Sequence, residues 1–329
     1  MLPDQLPTPS ARQQGRYGER GTPQAFVFAS DPQYPWTPAS DDGLEQSSGE
    51  RDQQSQALID QQYASIAEYR ASKGGLGIPV MINGDMTAYG HKWQREVIHP
   101  LLKRHLQDNY YFGLGNHDYK NNIDDTFNNA APRDSVLDLI EHHRERVDTL
   151  HLDYERNAIQ DSYTGSLAYS ISFGQVRLIQ LNNQPTYRTT ITSGWAWPLE
   201  RHLRFDIVDS LGWLETQLKE AYAHGQTLLL NLHQPGEWQA RSDELERFRQ
   251  MIERYQVAAV FAGHHHKEAG RWYRDARHYG TVPVFLSGSA SQSTYLLAEL
   301  VDDGRALTIK RVTQNDWMAA TVLDELQLY

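Results

Sequence analysis

Five short stretches of the chain place hard oxygen donors or imidazoles directly after an apolar run. "FVFAS" is followed by Asp31 and Gln33, "VMIN" by Gly84 and Asp85, and "YFGL" by Gly115, Asn116, His117 and Asp118. "LLLNL" leads to His233, and "AAVFA" to Gly263 and three successive histidines, His264, His265 and His266. Carboxylate, amide and imidazole groups are ligands for divalent first-row cations and for Mg2+. They also carry protons in general acid–base catalysis. A glycine beside such a residue lets the backbone turn sharply and approach a bound ion.

Taken singly, each piece has an ordinary structural explanation. Gly-Asp after a strand is a common turn, Gly-Asn-His-Asp suits a helix cap, and a lone histidine after a strand is often only hydrogen-bonded. Three adjacent histidines fit an exposed tract. Their shared position sets them apart, because each set stands at the carboxyl end of an expected buried strand, where open α/β sheets bind ligands. One carboxylate between two cations roughly 3.5–4 Å apart generates a bridging hydroxide near neutral pH. A neighbouring histidine then protonates the leaving alkoxide, and a carboxylate fixes its tautomer. On an extended segment His265 is out of phase with His264 and His266 and points away from the site they share.

The elements that must position these groups are legible in outline. Strands are expected at 25–30, 78–84, 109–116, 227–233 and 257–263, with a hairpin over 166–183 that turns at Phe173-Gly174-Gln175. Helices are expected over 52–72, over 93–105 with Pro100 kinking or splitting it, and over 134–150 from Asp134 or Ser135. Further helices are expected over 205–224, closed by Gly225, and over 242–255, capped by Ser242. From residue 282 onward four β-like runs follow: "VPVFLSG", "TYLLAEL", "ALTIKRV" and "WMAATVL". Alternating strands and helices with antiparallel strands at the end predict an α/β body. The polar, Pro/Gly-rich residues 1–24 read as a flexible N-terminal arm, and 25–329 as a single domain with an insertion around 119–205.

Composition bounds the function. The 329 residues are 39% hydrophobic and 22% charged, with 8 Trp and 18 Tyr, enough for a substantial core. The net charge of −11 argues against a general basic surface for nucleic acid, although a bound divalent metal would reverse the local field at a site. There is no cysteine, which removes disulfides, thiolate nucleophiles and Cys-based metal centres. No apolar run is long enough for a membrane span, so a cytoplasmic location is expected.

The order of these motifs resembles the calcineurin-like metallophosphoesterase superfamily, whose pattern is D-x-H, G-D, G-N-H-[DE], a single His, and G-H-x-H. The resemblance runs from residue 31 to 266. It implies a four-layer α/β/β/α sandwich of two mixed sheets flanked by helices, and hydrolysis of a phosphomonoester or phosphodiester. Carried over, it gives Asp85 as the bridge between two divalent metal ions. Asp31, Gln33 and His266 complete the first metal, and Asn116, His233 and His264 the second. His117 faces the substrate phosphate, held by Asp118. The departure is Gln33, where the family usually has histidine. A neutral amide oxygen is a harder and weaker ligand, which favours Mn2+ or Mg2+ over iron or zinc. It also keeps open a non-catalytic binding module of the same fold. A nuclease of the superfamily is a further alternative, disfavoured by the charge.

Other residues carry softer claims. Tyr89, His91 and Asn182 are candidates for substrate contact, with His91 equally suited to starting the next helix. Tyr34, Trp36, Tyr187, Trp195 and Trp197 lie in loops and suit either an aromatic rim or a small local core. His142 and His143 read as solvated. The "SGSASQS" run at 287–293 reads as a tight turn near the site. The expected partner is a small-molecule or protein-borne phosphate ester.

Overall fold

The computed structural model describes residues 21–107, 109–123, 130–144, 151–192, 203–274 and 276–328. The expected arm therefore lies mostly outside the described residues; Thr22 within it accepts a hydrogen bond from the Gln175 amide (2.9 Å). Trp195 and Trp197 lie outside them too, as does the expected helix beyond Arg144.

Alternating apolar and β-branched runs build two large mixed sheets. The first has six strands in the order Thr321–Gln327, Ala306–Val312, Tyr295–Val301, Ala25–Ala29, Val80–Ile82 and Tyr110–Phe112. The last three are mutually parallel, and the C-terminal three join antiparallel. The second has seven strands: Gly270–Trp272, Val284–Leu286, Val257–Ala262, Thr227–Asn231, Val176–Gln180, Tyr169–Phe173 and His151–Leu152. Its four parallel strands, Val284–Leu286 through Val176–Gln180, carry antiparallel strands on both flanks.

Strand periodicity fixes how the layers meet. Along the second sheet Leu178, Leu229, Ala259, Phe261 and Phe285 pack in one cluster with the first sheet. Their neighbours Ile179, Leu228, Leu230, Val260 and Leu286 pack in another with the helices Leu211–Ala223 and Ser242–Arg254. Alternate side chains thus serve opposite faces. The Phe28 and Phe261 rings stack between the sheets at 3.6 Å and 3°. Ile59, Tyr63, Ile98 and Leu102, from the helices Ser48–Lys73 and Lys92–Leu106, join the first cluster. No helix of the described residues is long and apolar enough to cross a membrane.

Several expected boundaries are corrected. The helix expected from Phe205 begins at Leu211, because Arg204–Ile207 is a strand of a separate four-stranded sheet with Glu155–Asn157, Ser162–Gly165 and Thr189–Thr192. Phe205 and Ile207 are buried while Arg204 faces solvent, a period of two hidden beside the helical period that follows. Pro100 does not divide its helix, which runs unbroken over Lys92–Leu106 with Ile98, Leu101, Leu102 and Leu106 buried. The next helix starts at Ala130, with Pro132 tolerated in its first turn. Arg241, not Ser242, occupies the cap of Ser242–Arg254, its amide donating to Glu244. "WMA" forms a 3-10 turn capped by Asp316, so the last strand begins at Thr321. His143 is not solvated: it is buried, with Nδ1 against the Leu139 carbonyl and Nε2 accepting the Phe112 amide. That leaves it neutral and structural.

Candidate metal centre

Strand carboxyl ends from both sheets converge, and their loops are stitched by backbone bonds. The Asp31 amide donates to the Gly84 carbonyl (3.1 Å) and the Gln33 amide to the Asp85 carbonyl (2.9 Å). Within the second sheet the Gly263 amide donates to the His233 carbonyl (3.0 Å), and across the sheets the His264 amide donates to Asp31 Oδ2 (3.0 Å). The His117 amide donates to Asp85 Oδ1 (2.8 Å). Asp31, Gln33, Asp85 and His264 all have positive φ, between 41° and 74°. L-residues adopt that region at a cost of order 1–3 kcal/mol each, and it concentrates where side chains must be aimed at a site. Glycine is required at two neighbours. A Cβ on Gly115 would stand 2.1 Å from Asp85 Oδ1, and one on Gly263 1.9 Å from Ser30 Oγ and 2.7 Å from Asp31 Oδ2.

Donor atoms of Asp85, His233 and His264 lie within 4.8 Å of one another. His233 is fully buried; its Nδ1 lies 2.9 Å from the Asn83 carbonyl, a bond that only Nδ1–H can make. Nε2 is then turned toward Asp85 Oδ2 (3.1 Å) and Asn116 Oδ1 (3.0 Å). On the other side His266 Nε2 faces Asp31 Oδ1 at 3.2 Å. Its Nδ1 lies 2.5 Å from Asp41 Oδ1. Both amide atoms of buried Gln33 have no hydrogen-bond partner, and among the described residues Asp31 Oδ1 and Asp85 Oδ2 are met by those imidazole nitrogens.

Lone pairs facing lone pairs in a buried site repel unless a proton or a cation lies between them. Asp31 and Asp85 are each 1% exposed, and among the described residues neither pairs with Lys or Arg. Burying an uncompensated carboxylate costs several kcal/mol, so the charge must be met by the imidazoles or by an ion. Protons meet it in the metal-free chain. Burial lowers the pKa of His233, but Asp85 and Asp31 outweigh it and raise the pKa to about 9. Burial and then Asp31 and Asp41 act likewise on His266, raised to about 10. Burial opposes ionisation of Asp85, yet His233 and His117 hold it well below the usual carboxylate range. His264 is pushed down to about 3 by burial and by the charge of His233, so it remains a neutral nitrogen donor. The donor set of Asp85, His233 and His264, with the unpartnered Gln33 amide nearby, fits a divalent cation.

Every metal candidate from the sequence thus reaches one locality, but other roles shift. Asp118 does not touch His117. Its carboxylate accepts the amides of Met86, Thr87 and Gly115, at 3.0–3.1 Å, and so clamps the Asp85 and Asn116 loops together. Burial and Asp85 push its pKa up to about 7. His117 is instead oriented by the Ala88 carbonyl at Nδ1 (2.9 Å), which leaves Nε2 for the cleft. Asn182 has both amide atoms engaged by backbone, accepting the Leu114 amide and donating to the Leu167 carbonyl. The Asn183 carbonyl next to it accepts the His233 and Gln234 amides. The Asn182 side chain and the Asn183 backbone thus splice site loops, while the buried Asn183 side-chain amide has no hydrogen-bond partner. His91 caps the helix Lys92–Leu106 with Gln94, and Tyr89 is 44% exposed beside it.

The ligands open into a cleft of about 360 Å³ lined by Trp36, Asp41, Asp85, His117, His264 and His266, among others. Trp36 meets His117 at 5.4 Å and His266 at 5.9 Å, edge to face. Of the aromatics flagged in loops, Tyr34 and Tyr187 are buried in the core instead. His265 also lines the cleft, stacking on Trp272 at 4.7 Å and meeting His264 edge to face at 5.0 Å, rather than pointing away as expected. A larger cavity of about 500 Å³ lies at the opposite ends of the strands, by Thr227, Val257 and Pro283, away from this cluster. Asp41 is the residue sequence reasoning missed: it belongs to an unremarkable "ASDDG" turn, and only its contacts reveal it.

Paired mixed sheets thus bring a cluster of potential metal ligands together at their strand ends. The family model for calcineurin-like phosphoesterase matches residues 27–268, and the chain belongs to that family. Among solved structures it is similar to the Plasmodium protein described as GAP50, the anchor in the inner membrane complex. That match has 10% identity and a TM-score of 0.49, covering 93% of this chain and 89% of that one. Vps29 of Chaetomium thermophilum matches at 8% identity and TM-score 0.33, over 93% and 97% of the two chains. A protein serine/threonine phosphatase from Saccharomyces cerevisiae, with similarity to human phosphatase PP5, matches at 11% and 0.30, over 94% and 81%. No curated protein matches the chain.

Proposed function

We infer that this chain hydrolyses phosphate esters at a dinuclear centre of Mn2+ or Mg2+. The supporting observation is the convergence of buried donors with no Lys or Arg beside them among the described residues: Asp85 Oδ2 faces His233 Nε2, Asp31 Oδ1 faces His266 Nε2, and the Gln33 amide has no partner. Asp85 is assigned to both ions, Asp31, Gln33 and His266 to the first, and Asn116, His233 and His264 to the second. Two such cations supply Lewis acidity to the ester oxygens and lower the pKa of an attacking water.

The chain's own groups do the rest. His117, aimed by the Ala88 carbonyl, presents Nε2 to the cleft and delivers a proton to the departing ester oxygen. Asp118 maintains the loop geometry from behind through its three backbone bonds. Trp36 walls the cleft between His117 and His266 and limits water beside the leaving group.

The test is a panel of nitrophenyl phosphate, its bis-ester, cyclic nucleotides, phospholipid headgroups and DNA with Mn2+ added. Turnover of at least one ester is expected, with loss of roughly 10²–10⁴-fold in His117→Ala. Metal uptake without turnover of any member would instead favour a binding module.

A further inference from the structure

We propose that Asp41 is a positioning residue for the first metal ion, acting through His266 and compensating for the weak donor at Gln33. The inference rests on the dinuclear reading above and concerns how its two halves differ.

The three histidine ligands have unlike supports. His233 Nδ1 is met by a backbone carbonyl. His264 Nε2 has only the Gln234 amide nitrogen, at 3.5 Å. His266 alone, among the described residues, has a carboxylate behind it, Asp41 Oδ1 against Nδ1. A carboxylate in that place fixes the tautomer with the lone pair on Nε2, holds the ring plane and raises ligand basicity. Nε2 is the atom that faces Asp31.

Asp41 is itself held from four directions. Oδ1 also accepts the Trp36 indole N–H (2.7 Å), and Oδ2 accepts Ser291 Oγ (2.6 Å) and Gln292 Nε2 (2.6 Å). Ser291 Oγ is in turn 2.9 Å from Ser289 Oγ. That gives the "SGSASQS" turn its purpose. Asp41 ends the short helix Pro38–Asp41, whose start is capped by Thr37, so its backbone is fixed as well. The side chain is neither a surface carboxylate nor a ligand to the site directly; its lone pairs are spent on orienting His266 and Trp36. Neutral Gln33 leaves this half of the centre short of donor strength, and the Asp41–His266 pair restores it.

The experiment is a Mn2+ titration of the metal-free full-length chain followed by calorimetry, with bound metal counted by elemental analysis. Wild type is expected to take up two ions. Asp41→Ala should lose first-ion affinity by roughly 10–100-fold and keep the second ion as in wild type. Asp41→Asn, which preserves shape but not charge, should fall between them. Should Asp41→Ala fail to fold, Asp41→Asn decides by the same criterion. Wild-type affinity at both ions in the folded variants, or an equal loss at both, overturns the proposal. Wild-type chain that binds fewer than two ions refutes the dinuclear reading beneath it, a distinguishable failure.

Discussion

The two halves of the site are built in different ways. His233 is held by main chain, with the Asn83 carbonyl behind its ring and the Asn183 carbonyl under its loop, while the Asp118 carboxylate clamps the neighbouring Asn116 turn. His266 leans on side chains, through Asp41 to Trp36, Ser291 and Gln292. Main-chain supports come with the fold and survive most substitutions, whereas side-chain supports can be tuned one residue at a time. The difference teaches that the support of His233 resists mutation while that of His266 is adjustable.

The shared carboxylate gives the largest effect. Asp85→Ala should abolish binding of both ions and lower turnover by roughly 10³–10⁴-fold; retention of one tightly bound ion would separate the halves entirely. Next come the glycines. Gly115→Ala drives a Cβ into Asp85 Oδ1, so it should cost roughly 1–3 kcal/mol in chemical denaturation and weaken both ions. Gly263→Ala strikes Ser30 and Asp31 and should weaken chiefly the first; equal losses in the two variants would erase the distinction.

Histidine removal distinguishes the supports. His233→Ala leaves a cavity and a buried Asn83 carbonyl without its donor, worth roughly 1–3 kcal/mol of stability. His266→Ala, at the cleft edge, should cost less stability while still losing the first ion. Melting curves of the metal-free variants compare them directly, and a more damaging His266→Ala would reverse the assignment.

The smallest effect is on pH. His233 and His266 titrate in the folded metal-free chain at about 9 and about 10, above the unfolded histidine value of about 6.5. Their protonation therefore stabilises the metal-free fold fully below about pH 6.5, and that contribution fades as pH rises through 9 to 10. A cation must displace those protons, so Mn2+ affinity should climb from pH 6 to 9 with proton release. Affinity flat over that range in calorimetry would contradict it.

Much of this was legible in the residues. Each candidate ligand follows an apolar strand, and strand ends are where side chains from distant segments can meet, so their convergence was legible. The "DPQ" departure at Gln33 was legible too. The supports were not. Asp41 acts across more than 200 residues of sequence, on His266, Ser291 and Gln292, and nothing local in "ASDDG" marks it. Asp118 was misjudged because a carboxylate next to His117 in sequence points into the backbone instead. The Arg204–Ile207 strand escaped because four residues of period two adjoin a longer helical pattern.

The central claim is that Asp85 joins two ions between the sheets. Crystals grown with Mn2+ and measured at its absorption edge should show two anomalous peaks roughly 3.5–4 Å apart. One should lie against Asp31 and His266 and the other against Asn116 and His233, with Asp85 touching both. A single peak, or two that leave Asp85 uncoordinated, would contradict the account.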